Sequence, residues 1–344
     1  MHRVPIVEIS QVAEARRLAT QLAHELDFAA TDTARVALVV TEAATNLVKH
    51  ATGGQLLMQA LSDVHGVELL ALDTGPGIRH MEQCLQDGYS TADSLGTGLG
   101  AITRLATLWD IYSVVGMGTA LLMHILPSSS VTRASGHLDI GAVCLPKAGE
   151  VVCGDAWTAV QQIDRSLILV VDGLGHGPEA ARAAQVAIRL VQEHSTEPLA
   201  RLLERLHRGL QHTRGAVVAL ARVDLSGQEM TFAGIGNMAG RVIASDNPAN
   251  GLYLMSHNGT VGYQIRKVQA LTYPWSDNAL LVLHSDGLAT RWDLRDYPGL
   301  TRRHPSLIAG VLYRDFARGL DDVIVVVARR RHALTRAREM WGEA

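Results

Sequence analysis

The residues best placed to do chemistry are carboxylates at the ends of apolar runs. In SLILVVDGLGHGPEAA, residues 166–181, the five apolar residues Leu167 to Val171 form a run too short for an independent helix. Bounded by turn signals, it reads as a buried strand that delivers Asp172 to its end. Gly173, Gly175 and Gly177 let the backbone approach a ligand, and Pro178 suits the first position of a helix, PEAARAAQVAIRLVQEH. Three further acidic stations have the same placement: Asp155 after Gly154 in VVCGDAW, Asp286 at the end of ALLVLHSD, and Asp321-Asp322 before VIVVVARR. A carboxylate on a rigid strand end beside free glycine carbonyls is a way to hold a hard cation. For any one of them, an Asp-Gly turn closing a hairpin is the plainer alternative. Converged on one rim of a sandwich, the set would repel, raise one another's pKa and favour divalent cations. Two such ions about 3.5–4 Å apart can bind a bridging water and aim it at phosphorus. Oxygen-only ligands point to Mg²⁺ or Mn²⁺ rather than zinc.

A second constellation lies in the first half. Glu42 and Asn46 are four apart in VALVVTEAATNLV, so they share one face of an otherwise apolar helix and must point at a partner or a cleft. Asp73 ends a strand and opens DTGPGI, where Gly75 and Gly77 flank a sharp turn. SLGTGLGAI, residues 94–102, puts Gly96, Gly98 and Gly100 directly before a helix, an arrangement of free N–H groups apt for phosphates. Singly, each feature has a bland reading as surface polarity or a turn.

The elements that must position these groups follow from periodicity. Helices are expected over Gln11–Leu26, from an N-cap at Thr31 or Asp32 to about Lys49, and over Leu99–Leu108. Strands 55–61 and 67–73 pair around a short turn, and two more surround Gly116–Thr119. Residues 74–98 have little periodicity, which in a compact domain marks a functional or mobile loop. PSSSVTRASG, 127–136, is polar and breaker-rich and is read as the linker between domains. Beyond it, strands are expected at 138–145, 151–160, 166–171, 216–224, 229–235, 239–245, 262–270, 279–285 and 323–328. Helices follow Pro178, at about 198–212 and over Pro305–Ala317, a layered α+β pattern.

Composition bounds the reading. With 344 residues, 47% hydrophobic and 19% charged, the chain can bury two domain cores. A net charge of −3 leaves no electrostatic footprint for nucleic acid, so the basic tail is read as a solvated face. Three cysteines without CxxC spacing indicate neither a disulfide framework nor a zinc knuckle. The start does not resemble a signal peptide and no apolar run reaches membrane-spanning length, so a cytoplasmic protein without a membrane partner is expected.

The order ExxxN, DxGxG, then GxGxG before a helix resembles the Bergerat-type (GHKL) ATP-binding fold. Over about residues 5–126 the chain is similar to anti-sigma-factor and stressosome serine kinases, and DGYSTADSLGTGLGAITRLA, 87–106, is especially like a stressosome switch kinase. The resemblance implies ATP with Mg²⁺ as cofactor, Asn46 on the metal and Glu42 as base or water-orienting group. It implies that Asp73 accepts from the adenine amine, beside Gly75 and Gly77, while Gly96, Gly98 and Gly100 wrap the phosphates. Residues 137–331 resemble the SpoIIE-like branch of metal-dependent serine/threonine protein phosphatases, through DGLGHGPEAA, GIGNMAGRV and NGTVGY, most like its short stressosome-feedback members.

By that likeness Asp172 bridges two Mn²⁺ or Mg²⁺ ions, with the Gly173 carbonyl and Asp155 on the first and Asp286 and Asp321 on the second. His176 is read as shaping its loop rather than transferring protons, and Asn237 as either orienting a loop near the metals or simply turning the chain. The family's DDxT becomes Asp321-Asp322-Val323-Ile324 here, a lost hydroxyl that bears on second-metal affinity more than on the fold. The expected architecture is α+β: a two-layer Bergerat domain over 1–126, a linker over 127–136, an α-β-β-α phosphatase sandwich over 137–331 and a basic tail over 332–344. The implied function is bacterial partner switching on a STAS-domain protein in a stressosome or sigma-factor pathway. The alternatives are an ATP sensor regulating the phosphatase, or an ATP-gated scaffold without catalysis.

Overall fold

A computed structural model describes residues 1–85, 98–129, 136–244 and 247–331 of the chain, which divides into two compact units between residues 134 and 135. Gly96, most of the switch-kinase-like stretch, residues 130–135 of the expected linker and the basic tail lie outside the described residues.

The first unit has two layers. Its elements are β1 (His2–Pro5), α1 (Ile9–Glu25), α2 (Ala30–His50), β2 (Gln55–Ala60), β3 (Val67–Leu72), α3 (Met81–Leu85), α4 (Gly98–Leu105), β4 (Leu108–Val114) and β5 (Gly118–Ile125). The strands form one antiparallel sheet in the order β1-β2-β3-β5-β4. Alternation along β3 turns Val67, Leu69 and Ala71 to one face, where they share a core with Val36, Val40 and Ala43 of α2 and Ile102 of α4. Helix α2 starts earlier than expected, capped at Ala29, so Thr31 and Asp32 lie inside its first turn. Asp32 is engaged elsewhere: it accepts the Ser128 N–H at 3.1 Å and the Ser128 hydroxyl at 2.7 Å, which ties the chain just after β5 to α2. Helix α4 ends at Leu105 rather than Leu108, because Thr107 N–H already donates to His124 O and Leu108 opens β4.

The second unit is a four-layer sandwich. It runs β6 (Leu138–Leu145), β7 (Asp155–Gln161), β8 (Arg165–Gly173), α5 (Pro178–Glu193), α6 (Leu199–Gly209), β9 (Ala216–Asp224), β10 (Glu229–Ile235), β11 (Ala239–Ala244) and β12 (Asn247–Tyr253). The short strands β13 (Ser256–His257), β14 (Gly259–Thr260), β15 (Gln264–Ile265) and β16 (Leu271–Pro274) follow. The chain closes with β17 (Ala279–His284), α7 (Pro305–Phe316) and β18 (Val323–Arg330). One sheet has the order β13-β10-β9-β8-β7 with β16 on β10, and the other β12-β11-β17-β18-β6. Ile168, Val170, Phe232, Leu281, Ile324 and Val326 fill the space between the sheets. Leu167, Leu169 and Val171 face the other way, onto Ala183, Ala187, Leu202 and Leu206 of α5 and α6. Burial on both faces is why β8 reads as an unbroken apolar run. Helix α7 covers β6 and β18, so close that a Cβ on Gly141 would stand 1.9 Å from Ser306 N.

Two strand expectations are corrected. Residues 151–154 are loop, because the Lys147 and Gly154 N–H groups donate to the Asp322 carboxylate instead of a ladder. No strand spans 262–270: Gly259 and Gly262, at φ +151° and +96°, bend the chain through the β14–β15 pair. No helix among the described residues is long and apolar enough to cross a membrane.

Candidate functional site

The carboxylates at the strand ends of the second unit act on one another. Asp155, first residue of β7, stands directly opposite Asp172 in the ladder with β8. Opposite residues of an antiparallel pair present their side chains to the same face, about 4.5–5.5 Å apart at Cβ. Asp155 is only 3% exposed. Burial first, then the charge of Asp172, raises its pKa well above the ordinary carboxylate range, against the pull of a hydrogen bond from Ser285. Asp172 is pushed up to about 7, by burial first and then by Asp286, Asp321 and Asp322, with hydrogen bonding to Asp155 opposing. Antiparallel pairing of β17 with β18 brings the end of one and the start of the other together, and with them Asp286 and Asp321-Asp322. The fit is tight: a Cβ on Gly287 would stand 2.0 Å from the Asp322 carbonyl. At Gly173, a Cβ would meet the Ala180 carbonyl at 2.2 Å, so glycine lets β8 run under α5.

Around this cluster, Ser285 takes a role that the sequence does not announce, and Asp322 takes one within its acidic pair. Ser285 Oγ donates to Asp155 Oδ2 at 2.7 Å and accepts the Ile324 N–H at 3.2 Å, bridging three strands at the site. A lone hydroxyl in the apolar run ALLVLHSD needs such partners when buried, which is the signal that could have found it. Asp322 is 3% exposed and accepts the Lys147 and Gly154 N–H groups, both at 2.7 Å, so it clamps the loop leading to Asp155. Just before β18, Asp322 is turned inward while Asp321 is exposed. The position that would carry the missing threonine is Ile324, fully buried between the sheets. Asn237 Nδ2 donates to Asp286 Oδ2 at 2.6 Å, and His176 Nδ1 lies 2.6 Å from Glu150 Oε1 at the half-exposed mouth.

Among the described residues, no three His, Cys, Asp or Glu side chains stand grouped as a ready-made metal cage. The donor set nevertheless suits hard divalent cations: it is all oxygen, and burial, then mutual repulsion, raises the pKa values of Asp155 and Asp172.

In the first unit, a cavity of about 610 Å³ is lined by Asn46, Asp73, Gly77, Gly98 and Thr119 against apolar walls including Ala71, Ile78, Ile111 and Leu121. Its size and its few convergent polar groups suit a nucleotide-sized ligand. Asp73, 7% exposed, sits at the end of β3, and its Oδ1 accepts the Gly75 N–H at 2.7 Å. Gly77, at φ +71°, lets the following turn pass Val114, whose carbonyl would lie 2.3 Å from a Cβ. Glu42 and Asn46 meet at Gly98: a Cβ there would be 2.9 Å from Asn46 Oδ1 and 3.3 Å from Glu42 Oε2. Gly98 and Gly100 belong to the first turn of α4 rather than to a loop before it; Gly98 lines the cavity, while Gly100 is buried in the helix.

Residues 7–125 match the family model described as a histidine kinase-like ATPase domain. Over 112 residues the chain is 35% identical to the serine/threonine-protein kinase RsbT of Bacillus subtilis (strain 168), spanning 84% of that protein and 32% of this chain. Through its first unit the chain belongs to the histidine kinase-like ATPase family. Behind this ATPase domain comes a SpoIIE-type domain: residues 163–331 match the family model of Stage II sporulation protein E (SpoIIE). Over 152 residues the chain is 23% identical to the phosphoserine phosphatase RsbX of Bacillus subtilis (strain 168), spanning 75% of that protein and 44% of this chain. A solved structure described as "The bacterial stressosome: a modular system that has been adapted to control secondary messenger signaling" matches at 30% identity and a TM-score of 0.52, covering 56% of this chain and 99% of that one.

Proposed function

We propose that the chain is a bacterial, cytoplasmic partner-switching regulator with two opposed activities. Its SpoIIE-type unit removes phosphate from serine or threonine on a STAS-domain protein. Its ATPase-type unit binds ATP with Mg²⁺ and transfers phosphate to a STAS-domain protein. The observation that carries the phosphatase half is the buried Asp155–Asp172 pair, set opposite each other by the β7–β8 register, with burial and neighbouring acids both working against its ionisation.

Two Mn²⁺ or Mg²⁺ ions would be held by Asp155, Asp172, Asp286, Asp321 and the Gly173 carbonyl, and when bound would supply charge stabilisation at phosphorus and water of lowered pKa. The chain's own residues do the rest. Ser285 fixes one oxygen of Asp155, Asn237 fixes one oxygen of Asp286, and Asp322 holds the loop before Asp155. These contacts leave the remaining carboxylate oxygens directed by geometry rather than by mutual repulsion. In the first unit, Asp73 would present a carboxylate to the adenine edge, Asn46 would hold the Mg²⁺, and Glu42 would serve as base or water-orienting group.

The test is incubation of the purified chain with phosphorylated and unphosphorylated STAS-domain proteins, with Mn²⁺, Mg²⁺ or chelator. Metal-dependent release of phosphate is expected, and its absence from every phosphoprotein offered would overturn the phosphatase reading. Labelled ATP should mark the unphosphorylated partner; ATP binding without transfer would make the first unit a nucleotide sensor.

A further inference from the structure

The connection from α6 to β9 brings a cation beside the glycine turn that follows Asp172. β9 begins at Ala216, opposite Gly173 of β8. Just before it, the Gly215 carbonyl accepts the Leu174 N–H at 3.0 Å, and Thr213 Oγ1 accepts the Gly215 N–H at 3.0 Å. Arg214, between these two anchored residues, is therefore held beside the DGLGHG loop. A Cβ built on Gly175 would lie 3.0 Å from Arg214 Nη1, so the guanidinium lies across the glycine turn that follows Asp172. Gly175 is at φ +88°, and any side chain there would push the arginine away.

Arg214 is exposed and, among the described residues, has neither a hydrogen bond nor an ion pair. Two other arginines of this unit, Arg165 and Arg205, are paired with Asp224 and Glu197. A phosphomonoester dianion entering a rim of four carboxylates needs a cationic donor of its own. A planar guanidinium fork matches two phosphoryl oxygens better than a point charge does.

We propose that Arg214 is a phosphate-binding residue of the phosphatase site, engaging the phosphoryl oxygens of the phosphoserine or phosphothreonine substrate across Gly175. This rests on the phosphatase reading above, so the experiment must separate the two. The full chain with saturating Mn²⁺ is assayed on p-nitrophenyl phosphate and on a phosphoseryl peptide, and binding of inorganic phosphate is measured by calorimetry. In Arg214→Ala, KM for both substrates and the Kd for phosphate should rise by about tenfold or more, with a smaller fall in kcat. Arg214→Lys should recover part of the loss, and thermal unfolding should be unchanged in both. Phosphate affinity and KM within about twofold of wild type in Arg214→Ala would overturn the assignment. So would a fall in kcat alone that lysine does not rescue. A wild-type chain that binds phosphate through Arg214 yet hydrolyses nothing would overturn the phosphatase reading and leave the anion site standing.

Discussion

Asp155 and Asp172 face each other across the β7–β8 ladder, two carboxylates placed on one face by strand register alone. Nothing but a cation or a proton can make that pairing favourable, since burial and the other acids both work against ionisation. Asp172→Asn should therefore bring metal-dependent phosphate release to background while raising the melting temperature of the metal-free chain. Calorimetric scans with and without Mn²⁺ would check this; wild-type turnover in the Asn variant would sink the bridging role.

Ser285 is expected to matter through Asp155 rather than through substrate. Removing its hydroxyl frees Asp155 Oδ2 and deprives Ile324 N–H of its acceptor. Ser285→Ala should weaken Mn²⁺ activation by about 10–100-fold, as loss of outer partners of metal ligands typically does. Asn237→Ala should do the same through Asp286. Activity titrated against Mn²⁺ concentration reads both, and unchanged activation midpoints would reduce these contacts to packing.

For the first unit, Asp73→Asn should weaken ATP binding, measured by isothermal titration on the full chain, because the adenine contact is disturbed. Glu42→Ala should spare binding and end phosphoryl transfer. Gly77→Ala should abolish binding by a different route: its Cβ would sit 2.3 Å from the Val114 carbonyl at a backbone φ of +71°, so the cavity wall itself must shift. Normal affinity in Gly77→Ala would contradict the wall geometry.

Asp32 carries a pH dependence. The Ser128 hydroxyl, then the Ser128 N–H and the nearby Arg35, hold its pKa below the usual carboxylate value, against burial. A depressed folded pKa contributes stability that is present above the unfolded pKa, near 3.8, and lost as pH falls through the folded one. Ser128→Ala should cost about 1 kcal/mol at neutral pH, and less as pH falls through the folded pKa of Asp32, where the wild type loses the same contribution. Hydrogen exchange of the amides of α2 would show it, and equal protection in variant and wild type at pH 7 would remove Ser128 from the account.

Much of this was legible in the chain itself, because the signals are local. The unbroken apolar run before Asp172, the glycines after it and Pro178 specify a buried strand, a turn and a helix start from backbone sterics and burial alone. The spacing of Glu42 and Asn46 puts them on one helix face by geometry, and Asp73 and Gly75 make their turn within three residues. What the sequence could not decide is which distant groups answer one another. Asp322 and Gly154 are 168 residues apart, and Asp155 and Ser285 130 apart, so no periodicity links them. Whether Asp321 or Asp322 faces the rim depends on the register of β18 against β6 and β17, which side-chain packing between the sheets sets. The loop at 151–154 differs from its strand pattern for the same reason: its apolar residues have strand propensity, but the Gly154 N–H is drawn to a carboxylate that only the folded chain brings near.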